Sequence, residues 1–459
     1  MPDVIVVGGG HNGLVAAATL RKAGRSVVLV EARERFGGVA DLLFDGSTLS
    51  GEVAKTLGVA PDDRGDVVAI GDGRTLTLNG SADDPGYAGW QAWVTRVSTI
   101  LASQLDQPAP DISKTAPVWP LAKTGLAVRK LGKKDMMELL RSAPSCVDDW
   151  LSEHMTDGLL KAALMAPALH GTWMGPRSPT SAASLVLRAA MQQATCSPRA
   201  LGEQLKTTAA GVGVEIVGGQ AVQRIRVDEG RVTGVELANG DAIDASTVLS
   251  AVGPRKTLLD LLDPRMVPGK LAHQARVIRV RGTLAQLRLE VSGIDWPARR
   301  LRIVTDPMHL ERAFDDVKFR RLPTVPPPLE VEVDGATVRV NCWSAPYELD
   351  GGWTEDARAA LQDAMLDSLE TALPGVRDAA TVTELLTPAD IEDQFGIDGG
   401  HPMHGELALD QLGPMRPSMQ LSRYGTQIEG LWLGCSGVHP GGGISGRSGL
   451  LAAKAILGR

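Results

Sequence analysis

Cysteine is scarce in this chain. Cys146, Cys196, Cys342 and Cys435 lie far apart and never in C-x-x-C spacing. That excludes a zinc ribbon and a disulfide reductase motif and leaves reduced thiols, as in a cytosolic protein. A positive excess is also missing: the formal charge is −7 and no basic tract stands out, so nucleic acid is not an expected partner. No run approaches the ~18 apolar residues of a spanning helix. The chain opens directly on an apolar strand with no basic n-region, so no secretory signal is expected, and the expected location is cytoplasmic. No His/Cys/Asp cluster has metal spacing, and no Gly-x-Ser-x-Gly nucleophile turn occurs, so no metal is assigned. Tyrosine, with 3 residues, and histidine, with 8, are rare enough that their positions carry information.

What is present is an ordinary globular composition, 43% hydrophobic and 22% charged, in 459 residues. That length implies two interleaved domains. The organising stretch is Asp3 to Glu31. Val4–Val7 reads as a buried parallel strand that stops at Gly8. Gly8, Gly10 and Gly13 fill G-x-G-x-x-G: the first makes the tight turn, the second admits a pyrophosphate, and the third lets helix pack on strand. Leu14 to Ala23 is a helix that aims free N–H groups at phosphate, and Gly24 ends it. Val27–Val30 is the second strand, and Glu31 closes it where a carboxylate accepts ribose hydroxyls and disfavours a 2′-phosphate. Gly37-Gly38 then offers a second close backbone approach; an acid followed by such a Gly-Gly pair resembles the flavoprotein pattern near the pyrophosphate of FAD, and this resemblance implies FAD rather than NAD.

Beyond this unit, the spacing predicts a short strand or turn and a helix over 39–60, a hairpin about Asp72-Gly73, and a helix over 86–105. A proline-rich loop over 107–120 and mostly helices over 133–191 follow. A helix over 201–210 precedes strands at 214–217, 221–227, 231–237 and 242–249. The 276–345 region reads as mostly β, with strands at 276–289, 301–305, 329–333 and 337–343. Helices are predicted over 354–373, 389–395 and 448–457.

The C-terminal run Gly430 to Gly446, with its Cys435-Ser436-Gly437-Val438-His439-Pro440-Gly441-Gly442-Gly443-Ile444-Ser445 core, resembles the carotenoid (phytoene) desaturase-like FAD oxidoreductases. Within them it is most similar to the branch typified by pyridine nucleotide-disulfide oxidoreductase domain-containing protein 2. Further support comes from Gly175 to Pro179, Gly230 to Val235, Ala345-Pro346-Tyr347, Leu386 to Asp390, and His404 to Leu412 followed by Arg416-Pro417. The resemblance implies an α/β fold: a discontinuous Rossmann-like FAD-binding domain (1–60, 200–265 and 420–459) with an inserted α+β substrate domain (61–199 and 266–419).

The resemblance also implies the cofactor residues. Gly8, Gly10, His11, Asn12 and Gly13 form the pyrophosphate turn, and Glu31 receives the ribose. Ala32, Arg33, Gly37, Gly38 and Val39 lie near adenosine and diphosphate, and Val222 gives a backbone contact to adenine. Ser436, Gly443, Ile444 and Ser445 lie along the ribityl chain and flavin ring, where Gly441–Gly443 is expected to open a helix. Here 39–50 is compressed against the family pattern, and Ser197-Pro198-Arg199 replaces a glycine pair.

The implied activity is that of an FAD-dependent dehydrogenase or desaturase removing hydride and a proton from a largely apolar small molecule, with oxygen, a quinone or another acceptor reoxidising the flavin. A flavin amine oxidase, a flavin-dependent isomerase and a catalytically decayed flavin-binding protein are the alternatives. Such a substrate is compatible with transient membrane contact, and the sequence does not fix the oligomeric state. Proton-transfer candidates are His404, Glu406, Tyr347 and His439, with Tyr424 behind them. Each also has a structural reading as a turn or core residue. Arg416 is expected to anchor a carboxylate or, more simply, to hold a buried acid such as Asp410.

Overall fold

The computed structural model describes residues 1–43, 49–59, 65–79, 83–111, 129–191 and 198–458. Most of the proline-rich loop, Cys196, Ser197 and the 44–48 part of the compressed segment lie outside the described residues.

The β-branched, fully buried runs Val4–Val7 and Val27–Val30 lie inside a five-stranded sheet, in the order Leu431–Leu433, Val248–Ser250, Val4–Val7, Val27–Val30, Glu215–Val217. Every pairing in it is parallel. Helices His11–Lys22, Pro198–Gly211 and Arg447–Ile456 pack in one core with this sheet. A three-stranded antiparallel sheet, Val222–Asp228, Arg231–Leu237 and Ala242–Asp244, lies against the same core. Strand order turns at Val4–Val7: the chain adds Val27–Val30 and Glu215–Val217 on one side of it and then Val248–Ser250 and Leu431–Leu433 on the other. The crevice beyond the carboxyl ends of Val7 and Ser250 is therefore the place such a sheet offers a ligand.

The second large sheet has seven strands, in the order Ala380–Leu386, Ala285–Val291, Thr337–Cys342, Leu329–Asp334, Arg300–Ile303, Val67–Gly71, Arg74–Leu78. Its alternation divides its two faces sharply. Leu287, Leu289, Leu301, Val331, Val338 and Val340 face a core shared with Leu361, Met365 and Leu369 of the Glu355–Ala372 helix. Gln286, Arg302, Glu330, Glu332, Arg339 and Asn341 alternate with them and are also buried. On this polar side Asn341 Nδ2 (2.7 Å) and Gln286 Nε2 (3.4 Å) both donate to the Leu42 carbonyl, tying the segment after Gly37-Gly38 to the sheet. A helical layer, Tyr87–Leu105, Gly132–Ser142, Val147–Ser152, Gly158–Leu169 and Ser181–Met191, builds a third core around Trp90, Trp93 and Trp150. Among the described residues, no helix is long and apolar enough to cross a membrane.

Several expectations need correction. The 242–249 strand is two strands, Ala242–Asp244 and Val248–Ser250, serving different sheets. The 276–289 strand begins only at Ala285: Arg276 ends the Gly269–Arg276 helix, and 277–284 connect the two without regular structure. Pro307–Lys318 is a helix inside the block read as β; Asp306 caps it by accepting the His309 N–H at 2.9 Å, and Pro307 stands at its first turn. Ala380–Leu386 is an edge strand that the reading left out.

The C-terminal helix sits close on the first one. A Cβ on Gly449 would lie 2.0 Å from the Asn12 carbonyl oxygen, so Gly449→Ala is expected to cost about 3 kcal/mol or more. Urea unfolding of the variant checks this, and an unchanged midpoint would refute the contact.

Candidate active site

The loops after three adjacent parallel strands, starting at Gly8, Ala251 and Gly434, meet at the crevice. Gly8 has φ +99°, and a Cβ there would stand 3.0 Å from Val252 Cγ1. A Cβ on Gly13 would lie 2.0 Å from the Gly8 carbonyl oxygen, so only glycine lets the helix rest on the strand. Gly10 differs: its Cβ would meet nothing nearer than Gly38 Cα at 3.9 Å, so its backbone faces open space. Gly37 N–H donates to Gly9 O at 2.9 Å, and Gly10 and Gly37 pair as an isolated parallel bridge. The two glycine stretches thus form facing backbone lips.

Helix His11–Lys22 begins at these lips with no acidic residue in its first turn and no side-chain cap, leaving its terminal N–H dipoles for a ligand. The Glu31 carboxylate accepts the Gly9 N–H at 2.5 Å and the Arg33 N–H at 3.0 Å, and keeps further lone pairs for hydroxyl donors. Gln220 N–H donates to the Glu31 carbonyl at 3.0 Å, two residues before Val222, which opens the three-stranded sheet. Donor-rich helix start, open glycine face and carboxylate together fit an adenosine diphosphate group. Ala32 is exposed, Val39 is buried, and the Arg33 guanidinium lies over the Phe395 ring at 4.1 Å.

Asn12 ties the first helix to the C-terminal loop. Its Nδ2 donates to Ser436 Oγ at 3.0 Å, and its Oδ1 accepts the Gly449 N–H at 3.2 Å. The expected helix start at Gly441–Gly443 is corrected: their φ values, 71°, 69° and 56°, are left-handed, and the helix starts at Arg447. Gly443 has nothing within 4 Å of a Cβ position, another open backbone face. Ile444 and Ser445 beside it are buried, and the Ser445 carbonyl accepts the Ser50 N–H at 2.9 Å.

Arg416, 1% exposed, holds this loop without any acid among the described residues. Its Nε and Nη2 donate to the Ser436 carbonyl (3.0 and 2.8 Å), and its remaining bonds reach the Met403, Gly405, Glu406 and Gln411 carbonyls. Asp410 pairs instead with Arg279 at 2.6 Å, so the expected Arg416–Asp410 pair is corrected. Burial lowers the Arg416 pKa to about 10, which leaves it charged at neutral pH. The ring of carbonyl dipoles does the work expected of a carboxylate.

The proton-transfer candidates separate. His404 Nδ1 and Asp398 Oδ2 each lie 3.0 Å from the Cβ position of Gly253, in the loop after Val248–Ser250. Among the described residues, His404 Nδ1 has no hydrogen-bond partner. Burial first, then the fields of His11, His401 and Arg416, lowers its pKa to about 3. His401, overlooked in the sequence although it opens the same His-Pro-Met-His run, turns this loop by accepting the Met403 and Gly405 N–H groups at Nδ1. Glu406 is bound by Arg281 (2.6 Å) and Arg279 (3.2 Å); burial pushes its pKa up, but these arginines outweigh it and the net shift is downward. Such a carboxylate is a poor proton carrier.

Tyr347 donates its hydroxyl to Glu392, which with burial raises its pKa to about 12, in a cleft shared with Trp173 and Arg281. Arg281 stacks on Trp173 at 4.2 Å. His439 is buried with Nε2 3.0 Å from the Gln107 carbonyl, and Tyr424 is packed inside the parallel-sheet core. Among the described residues no cluster suits a metal.

The model of the NAD(P)-binding Rossmann-like domain matches residues 6–43. Over the whole chain, pyridine nucleotide-disulfide oxidoreductase domain-containing protein 2 of Rattus norvegicus is 26% identical across 548 aligned positions, covering 99% of this chain and 93% of its own. The resemblance runs from end to end. The aligned span exceeds the chain's 459 residues, so parts of that relative have no counterpart here. Phytoene desaturase (lycopene-forming) of a Paracoccus species is 25% identical, covering 98% of this chain and 96% of its own. The crystal structure of an oxidoreductase from Methanosarcina mazei superposes with a TM-score of 0.61 at 14% identity, covering 99% of this chain and 100% of that one. The relatives are oxidoreductases, and a flavin is the cofactor they imply.

The site's histidines set an acid limit. Unfolded imidazoles titrate near 6.5, whereas burial lowers His11, His401 and His439 to about 4 and His404 to about 3. Between these values the unfolded chain binds the extra protons, so stability is full above about pH 6.5 and falls as the pH drops toward 4. Each contributes at most about 1.4 kcal/mol per pH unit. Urea midpoints at pH 7, 6 and 5 should fall steadily, and less steeply in His439→Gln; a flat profile would contradict their burial.

Proposed function

We propose that the protein is an FAD-dependent oxidoreductase of the dehydrogenase or desaturase type that removes hydride and a proton from a largely apolar small molecule. The observation that carries this reading is the facing pair of glycine lips at the switch point of the parallel sheet, with Glu31 on one side and the C-terminal glycine loop on the other. Residues Gly8 to Gly13 and the start of the first helix would hold the diphosphate, Glu31 the ribose, and Ser436 with Gly443 to Ser445 the ribityl chain and ring. FAD, when bound, supplies a two-electron acceptor for hydride.

The chain's own part is to bind and orient. His404 stands beside the loop after the central strands as a neutral imidazole at pH 7, and with a pKa lowered to about 3 it is suited to hydrogen bonding rather than to taking up a proton. Glu406 positions the Arg279 and Arg281 side chains rather than carrying protons. The proposed division is an FAD-binding domain of 1–60, 200–265 and 420–459, with the remainder forming the substrate domain. The proposed location is cytoplasmic.

The test is the absorption spectrum of the purified protein, followed by denaturation and identification of the released cofactor. Near-stoichiometric FAD is expected, and a colourless protein that takes up no added FAD would sink the proposal. Gly10→Ala sharpens it. The new Cβ meets no atom closer than 3.9 Å, so apoprotein stability should change by about 1 kcal/mol or less, while FAD affinity falls at least about tenfold. Undiminished FAD binding by that variant would remove the diphosphate from this crevice.

A further inference from the structure

Asn12 is placed to decide which hydrogens the crevice offers. Its side chain, 5% exposed, sits in the first turn of the His11–Lys22 helix and meets three partners. One of them can only donate: the Gly449 N–H, in the first turn of the Arg447–Ile456 helix, lies 3.2 Å from Asn12 Oδ1. An N–H at that position has no partner within its own helix, so it holds the amide oxygen toward the last helix. The amide nitrogen is thereby turned to the other two partners, His11 Nε2 at 3.0 Å and Ser436 Oγ at 3.0 Å. An amide –NH2 has two hydrogens to give and accepts none, so both contacts run outward from Asn12.

Each receiver is left with a defined sense. His11 Nε2 accepts, so the proton of the neutral ring sits on Nδ1. The ring is neutral at pH 7, because burial lowers its pKa to about 4. Although the side chain is only 6% exposed, Nδ1 makes no hydrogen bond with the described residues. Ser436 Oγ accepts from Asn12 and bonds no other described group, so its hydroxyl hydrogen is unspent. Arg416 keeps that hydroxyl in place by gripping the Ser436 carbonyl with Nε and Nη2.

Both receivers lie in loops that meet at the crevice, one after Val4–Val7 and one after Leu431–Leu433. Buried donors without acceptors are unfavourable until an acceptor arrives. The uncapped start of the first helix presents N–H groups of the same sense. A diphosphate, which carries acceptor oxygens and no N–H, is the kind of group that suits such a wall.

We propose that Asn12 is a positioning residue that sets the donor sense of the crevice: by donating to His11 Nε2 and Ser436 Oγ together, it leaves the His11 Nδ1–H and the Ser436 O–H to be given to acceptor oxygens of the bound dinucleotide. The assignment rests on the FAD reading above. It gives a buried amide far from the chemistry control over how tightly the cofactor is held.

The experiment begins with nitrogen NMR of the histidine rings in the full-length protein stripped of flavin, with His11→Gln to assign the His11 signals. At pH 7 the wild type should show Nδ1 protonated and Nε2 bare. In Asn12→Asp, whose carboxylate accepts but does not donate, Nε2 should be protonated; its Oδ1 still receives the Gly449 N–H, and thermal unfolding checks that the fold is kept. FAD titration reads the consequence. Asn12→Asp should weaken FAD at least about tenfold and Ser436→Ala about fivefold. Ser436→Ala should cost nothing further in the Asn12→Asp background, where the hydroxyl has already turned to the carboxylate. A protonated Nε2 in the wild type, an unchanged ring in Asn12→Asp, or additive losses in the double variant overturns the proposal. Should Asn12→Asp not fold, undiminished FAD affinity in Ser436→Ala overturns it in the same way. Any of these results with full FAD uptake by the wild type removes the role of Asn12 alone; no FAD uptake by the wild type removes the oxidoreductase reading and this proposal with it.

Discussion

The approach of the first helix to the first strand governs the rest of the molecule. At Gly13 and Gly8 it is so close that one methyl group would sit on a carbonyl oxygen. That contact fixes where the helix begins, and so where its unpaired N–H groups point. The Gly9-Gly10 backbone is consequently presented to Gly37-Gly38, and Asn12 reaches both Ser436 and the start of the last helix. A chain end more than four hundred residues away is thereby joined to the first turn.

This part of the fold was legible because its rules are local. A β-branched run, a glycine spacing and a closing acid carry their meaning within thirty residues, and all appear where the sequence places them. Failures came where the answer depends on a remote partner. Residues 242–249 have strand-forming composition throughout, but one end pairs with Gly234–Glu236 and the other with Ile5–Val7, and the chain must break between the two sheets. The Pro307–Lys318 helix carried a readable signal in Asp306-Pro307, overshadowed by the β character on both sides.

The site divides in the same way. Sequence placed His404, Glu406 and Arg416 in one motif-rich stretch, but could not say which charges they would meet. Arg279 and Arg281, over a hundred residues earlier, take Asp410 and Glu406, leaving Arg416 to a cage of carbonyls. Alternating Arg-x-Arg spacing was the only local hint of those partners. Neutral, buried histidines are likewise a product of packing: nothing in their neighbours along the chain announces the loss of solvent.

The two amides that grip the Leu42 carbonyl have a mechanical meaning. Gln286 and Asn341 belong to central strands of the large sheet, while Leu42 follows directly on the glycine lip. Pulling these parts aside would strip a buried carbonyl of both donors. The seam therefore behaves as a weld rather than a hinge. Traffic to the interior must pass by side-chain rotation or loop displacement elsewhere, and any drift in the strand register of the sheet would be felt at once in the width of the glycine crevice.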